Sequence, residues 1–130
     1  ILSRPGIRFS ANSVMRFFGS QFVFAEDINA AMVTTKKTSA VHSFDMLGEA
    51  AWTMADADRY FLSYKNALIA IGENNTASDI IAADGISVKL SALHPKYDFM
   101  HKERVLDELV PRVLALVNIA EKYNIAINVC

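Results

Sequence analysis

The 130-residue sequence has little of what many functional sites need. Its single cysteine excludes an internal disulfide and fits a reducing compartment. Its three histidines, His42, His94 and His101, do not have the spacing of a metal site. Its five glycines form no phosphate-binding loop of the G-x-G-x-x-G or P-loop type. No apolar run reaches the roughly 18 residues of a membrane span.

The charge balance excludes another class of function. The net charge is −1 and the isoelectric point is near 6.3, so nothing attracts a phosphate backbone over long range, and nucleic acid is not an expected partner. The composition, 52% hydrophobic and 21% charged, provides for a core of about one domain. Because the sequence lacks a starting methionine and stops at Cys130, at the end of a predicted strand, we expect a fragment of a longer protein.

Hydrophobic periodicity divides the chain into a helical segment, residues 1–38, and a mixed segment, residues 39–130. The first segment is predicted to contain a helix over Glu26–Lys37, with a buried stripe that includes Phe24. The second alternates strands with helices. Its strands are predicted at Val41–Met46, Ile86–Ser91 and Ile125–Cys130. One helix is predicted to begin at a capping box formed by Thr53 and Asp56 and to end at Gly72. A second helix is predicted over Lys102–Tyr123, and Pro111 is expected to kink or divide it.

This β-α-β-α-β order predicts a parallel α/β sheet, either doubly wound or part of a barrel. Each strand carries its polar side chains on one face, which favours a barrel interior. These residues are Ser43 and Asp45, then Ser87, Lys89 and Ser91, then Asn128 and Cys130. The predicted fold class is therefore a partial (βα)8 barrel, namely its first three strands and two crossover helices, preceded by a helical segment.

Lys89 is the residue that most needs an explanation, because a charge in an apolar strand is costly to bury unless it is paired or used. On one face with Asp45, it would suit an anionic group such as a carboxylate, or it would form a structural ion pair; the residues alone leave both open. For Glu49, on the next loop, a solvated carboxylate is the simpler interpretation. His94 is interpreted as a local hydrogen-bonding residue rather than an acid–base group, and Cys130 has no evident base beside it.

Two long motifs and two shorter ones resemble the proline dehydrogenase domain of the bacterial bifunctional PutA flavoenzymes. The resemblance extends over nearly the whole chain. The matching residues are Phe44-Asp45-Met46-Leu47-Gly48-Glu49-Ala50-Ala51, Gly85-Ile86-Ser87-Val88-Lys89-Leu90-Ser91-Ala92-Leu93-His94-Pro95-Lys96-Tyr97, Glu108-Leu109-Val110-Pro111-Arg112 and Tyr123-Asn124-Ile125-Ala126-Ile127-Asn128.

The resemblance implies a distorted (βα)8 barrel that binds FAD and oxidises L-proline to Δ1-pyrroline-5-carboxylate, passing electrons to a membrane quinone. Lys89 would hold the proline carboxylate, Asp45 would support the charged floor of the pocket, and Glu49 would pair with an arginine from elsewhere in the barrel. Cys130 stands where the family usually has an aspartate beside the flavin. The protein is expected to be cytoplasmic and peripheral at the inner face of the membrane.

The resemblance also implies what these 130 residues lack. Most FAD contacts and the carboxylate-binding arginines lie in later strands and helices of the family. The isolated chain is therefore expected to have no activity and to bind FAD weakly or not at all. An alternative function is a non-catalytic α/β module that presents the face with Lys89 and Asp45 to a small carboxylate.

Overall fold

The computed structural model describes residues 4–19, 23–47 and 50–130. It divides into two compact units, Ile1–Thr38 and Ser39–Cys130.

The first unit consists of helices α1, Arg4–Gly19, and α2, Ile28–Thr35. Helix α2 begins later than Glu26 because the Asp27 carboxylate accepts the Ala30 backbone N–H at 2.9 Å and caps the helix. It also ends before Lys37. Its last residue is Thr35, whose hydroxyl donates to the carbonyl of Met32. The prediction that Phe24 belongs to the buried stripe is wrong, because this residue is 53% exposed.

The second unit has a three-stranded parallel sheet in the order β1-β2-β3. Strand β1 is Ser43–Asp45, β2 is Gly85–Val88 and β3 is Ile127–Val129. Asp45 pairs with Ser87 and Ser87 with Asn128, so the register places the polar residues of all three strands on one face. The predicted α/β class and parallel sheet are confirmed, although each strand is shorter than expected.

Two long helices connect the strands: α3, Met54–Asn74, between β1 and β2, and α5, Lys102–Tyr123, between β2 and β3. Helix α4, Leu90–Leu93, follows β2, and a 3-10 turn, Phe99–His101, precedes α5. Helix α3 packs against α5, α4 and β2. The large side chains that are fully buried belong to these elements, to the residue after α4 and to the second residue before β3: Tyr64, Leu68, Ile71, Ile86, Val88, Leu93, His94, Leu116 and Ile125.

The two long helices correct two expectations. The Thr53–Asp56 capping box is confirmed, but α3 continues through Gly72 to Asn74 and is capped by Asn75. Pro111 does not divide α5, which continues unbroken on both sides of it. On α5, Leu106 is 48% exposed, whereas its neighbour Val105 is buried.

Candidate functional site

Lys89 and Asp45 meet at the carboxyl ends of adjacent strands. Asp45 is the last residue of β1, and Lys89 directly follows β2. The Lys89 ammonium lies 2.9 Å from Asp45 Oδ1, and a longer contact of 3.5 Å reaches the carbonyl oxygen of Met46. Their side chains are 36% and 50% exposed, so the ion pair borders solvent rather than the core. An incoming anion can therefore reach this ion pair from solvent, without entering the protein core.

A row of uncharged polar groups extends from this pair across the sheet. The Ser43 and Ser87 hydroxyls are 3.4 Å apart, and the Asn128 amide donates to Ser43 Oγ at 3.4 Å. On the opposite face of β2, Ile86 and Val88 are completely or almost completely buried. The predicted one-sided polarity of the strands therefore agrees with the structure.

Ser91 departs from this pattern. The sequence placed it on the polar face of β2, but the strand ends at Val88 and Ser91 lies in helix α4. Lys89 is the residue before that helix, with extended backbone angles of φ −88° and ψ 121°. The strand-to-helix turn therefore falls at the candidate binding lysine itself.

Tyr64 is a neighbour of Lys89 that the sequence alone did not single out as part of a site. It is buried in α3, and its hydroxyl accepts the backbone N–H of Lys89 at 3.2 Å. The only signal in the sequence was a phenol among apolar positions of a helix, since a buried tyrosine hydroxyl usually has a hydrogen-bond partner.

His94 and Glu108 form a second polar cluster, at the far end of α4. The buried ring of His94 accepts the Lys96 backbone N–H on Nδ1 at 3.1 Å, so Nε2 carries the proton and donates to Glu108 at 3.0 Å. The Arg104 guanidinium also binds Glu108, at 2.7 Å. Together the Arg104 hydrogen bond, first, and the His94 hydrogen bond lower the pKa of the Glu108 carboxyl. This geometry favours the local hydrogen-bonding interpretation of His94.

The remaining candidates are Glu49, Cys130 and His42. Glu49 falls outside the described residues. Cys130 is exposed and continues the pairing of β3, donating its N–H to Val88 O at 3.0 Å and accepting the Leu90 N–H at 3.1 Å. His42 is half-buried and bonded to Asp84 through both its backbone N–H and its ring.

The described residues contain no cluster of three histidine, cysteine or acidic residues able to hold a metal ion. No helix in the same parts of the chain combines the length and apolar character needed to cross a membrane.

Comparison with known proteins agrees with this geometry. The family model described as proline dehydrogenase matches residues 29–129. The bifunctional PutA proteins of Klebsiella aerogenes and Escherichia coli are each 44% identical over 128 residues, which is 96% of this chain but 10% of theirs. A crystal structure of a Bradyrhizobium japonicum proline utilization A variant is 41% identical, with a TM-score of 0.72 over 96% of this chain and 13% of that one.

A more distant structure extends the structural likeness. Proline utilization A from Bdellovibrio bacteriovorus superposes with a TM-score of 0.78 at 18% identity, which supports the fold alone. The fold is thus that of part of a PutA proline dehydrogenase barrel. With a family model that matches most of its length, the chain belongs to the proline dehydrogenase family.

Proposed function

We propose that this chain contributes to an enzyme that oxidises L-proline, and that Lys89 binds the substrate carboxylate. The observation that supports this function most strongly is the Lys89–Asp45 pair, 2.9 Å apart at the carboxyl ends of neighbouring parallel strands. In barrels of this kind, active sites are built at that end. Family membership supplies the reaction, and the ion pair supplies a point at which an amino acid can be held.

The protein's own part in the reaction is to bind and orient the substrate. The Lys89 ammonium would meet the carboxylate in a charge-assisted hydrogen bond. Asp45 orients that ammonium and limits its reach, because one N–H of the ammonium stays on Asp45 Oδ1. The uncharged row of Ser43, Ser87 and Asn128 adds no second charge beside the pair. An amino acid would therefore be fixed by its carboxylate, with its ring left free to face the redox partner.

We propose FAD as that redox partner, which when bound would accept the two electrons that leave the substrate. The polar face fits the heteroatom edge of a flavin ring: the Asn128 amide can both donate and accept, and Cys130, two residues later, is exposed. Residues that fit the phosphates are not found in the sequence, which has no glycine-rich loop. We therefore propose that Asn128 and Cys130 border the ring and that other parts of the enzyme hold the phosphates.

Further parts of the proposal concern the surroundings of the reaction. The product would be Δ1-pyrroline-5-carboxylate, and the electrons would pass to a membrane quinone. Such an enzyme would be cytoplasmic and peripheral at the inner face of the membrane. Glu49 would pair with an arginine supplied by another part of the barrel. The chain spans 10% of the length of the PutA relatives that it matches, so these statements concern a larger enzyme.

The test is the Lys89→Met variant of the complete gene product, assayed by proline-dependent reduction of an artificial electron acceptor. Methionine removes the charge and keeps an unbranched stem. We expect the KM for proline to rise roughly 100-fold, the value of a strong charge-assisted hydrogen bond to a carboxylate. The matched control is Lys65→Met, on an exposed position of α3, for which KM should stay within about twofold.

Two outcomes would overturn the proposal. An unchanged KM in Lys89→Met would show that this lysine does not bind the carboxylate. A wild-type gene product that binds proline without reducing any acceptor would favour the non-catalytic carboxylate-binding module instead.

A further inference from the structure

Lys89 lies at a junction whose backbone hydrogen bonds are almost all main chain to main chain. The Val88 carbonyl accepts from Cys130 N–H at 3.0 Å, and Leu90 N–H donates to the Cys130 carbonyl at 3.1 Å. The Lys89 carbonyl accepts the Ala92 N–H at 3.0 Å. These bonds tie the turn to β3 and to the first turn of α4, and no side-chain substitution removes them directly.

The backbone N–H of Lys89 is bonded differently, to a side chain. Its acceptor is the hydroxyl of Tyr64, 3.2 Å away, on a ring that is completely buried in α3. A buried tyrosine has few rotatable bonds, so packing of the ring sets the position of the hydroxyl. Tyr64 therefore joins the start of the α4 turn to the core helix behind the sheet.

The position of this backbone matters because a lysine ammonium sits on a flexible four-carbon stem. At the tip, Asp45 holds the Lys89 ammonium at 2.9 Å; at the base, Tyr64 holds the N–H. The far end of α4 is held independently, by the bond from His94 to Glu108 of α5 at 3.0 Å. Loss of the Tyr64 bond would free the Lys89 N–H from the core helix and allow a small displacement of the lysine, while the main-chain bonds to β3 and the bond at the far end of α4 remain.

We propose that Tyr64 is a positioning residue for substrate binding, which sets the place of the Lys89 ammonium through the Lys89 backbone. This inference rests on the proposed function, in which Lys89 binds the proline carboxylate. Tyr64 itself touches no substrate, and its effect passes entirely through Lys89. Its contribution should therefore appear in the affinity for proline and vanish when the lysine charge is absent.

The test is a double-mutant cycle in the complete gene product, with Tyr64→Phe and Lys89→Met. Tyr64→Phe keeps the buried ring and removes the hydroxyl, which accepts the Lys89 N–H. We expect KM for proline to rise roughly tenfold, as small displacements of a binding group do, with a smaller change in kcat. In the Lys89→Met background, the same change should alter KM by less than about twofold. Tyr60→Phe, which removes a hydroxyl one turn earlier on α3, is the matched control and should leave KM unchanged.

The outcomes separate the inference from the function on which it rests. A large KM effect of Lys89→Met with no KM effect of Tyr64→Phe overturns the positioning role and leaves the proposed function standing. An equal KM effect of Tyr64→Phe in both backgrounds also overturns it, since a general loss of structure would act so. No KM effect of Lys89→Met overturns the proposed function first.

A second variant covers the case in which Tyr64→Phe does not fold. Site-specific 3-fluorotyrosine at position 64 weakens the hydroxyl as an acceptor and keeps the bond in place. It should raise KM by a smaller factor, again only when Lys89 is present. An unchanged KM with this residue would overturn the inference.

Discussion

Gly72 provides the sharpest test of how the two long helices pack. It lies in the last turn of α3, where a residue with a side chain would ordinarily favour the helix. A Cβ built at this position would lie 2.2 Å from Cγ of Tyr123, 2.5 Å from its Cβ and 2.6 Å from its Cδ1. All three atoms belong to the stem and the near edge of the Tyr123 ring. A rotation of the far end of that side chain therefore cannot relieve the collision.

The size of the effect of Gly72→Ala follows from two opposing contributions. Replacing glycine by alanine inside a helix gains roughly 0.5–1 kcal/mol, and less near a helix end. Overpacking of a close contact costs about 1–3 kcal/mol or more, since α3 and α5 must move apart. The collision outweighs the propensity, so we expect Gly72→Ala to destabilise the protein by about 2 kcal/mol.

The assay measures the urea concentration at which the complete gene product loses half of its proline-dependent activity. It is applied to a double-mutant cycle of Gly72→Ala and Tyr123→Gly. Tyr123→Gly removes all three colliding atoms. In that background Gly72→Ala should be neutral or stabilise by up to about 1 kcal/mol, because only the helix propensity remains. A Gly72→Ala variant that is more stable than the wild type, or an equal loss in both backgrounds, would refute the packing argument.

Two further predictions concern stability. Asn124 has a left-handed backbone, with φ 52° and ψ 48°. By urea midpoints, Asn124→Val should therefore destabilise the protein by about 1–3 kcal/mol, while Asn124→Gly should change its stability by less than about 0.5 kcal/mol. Equal losses in the two variants would contradict the strain argument. The pKa of Glu108 is lowered, first by Arg104 and then by His94, so its stabilising contribution is present above the ordinary value of 4.5 and is lost as pH falls through the lowered pKa. The thermal midpoints of wild type and Glu108→Gln should therefore converge in acid, and a pH-independent difference would count against this linkage.

Local features were the most predictable from the sequence. The capping box at Thr53 and Asp56 involves residues three apart, so the sequence contains everything that the motif needs. The alternation of polar and apolar side chains likewise predicts that Asp45 and Lys89 share one face of the sheet, because strand geometry fixes that alternation.

The boundary of β2 was less predictable. Ser87, Lys89 and Ser91 alternate as in a strand, but the chain turns into α4 after Lys89. Over so few residues, strand and helix periods cannot be told apart from sequence. Burial decides between strand and helix here. In α4, Ala92 and Leu93 are both buried in the core, whereas an extended strand would place them on opposite faces.

By itself, then, the sequence determined the parallel α/β class, the single polar face and the residues on it other than Ser91, because those follow from local periodicity and from the order of elements. The tertiary structure alone decided what Gly72 and Tyr64 do. Gly72 is needed for the approach of Tyr123, and the Tyr64 hydroxyl holds the backbone of Lys89. Each depends on two segments far apart in the chain that meet only when the helices pack on the sheet. No local pattern encodes such a meeting, since packing selects partners by shape and distance in space.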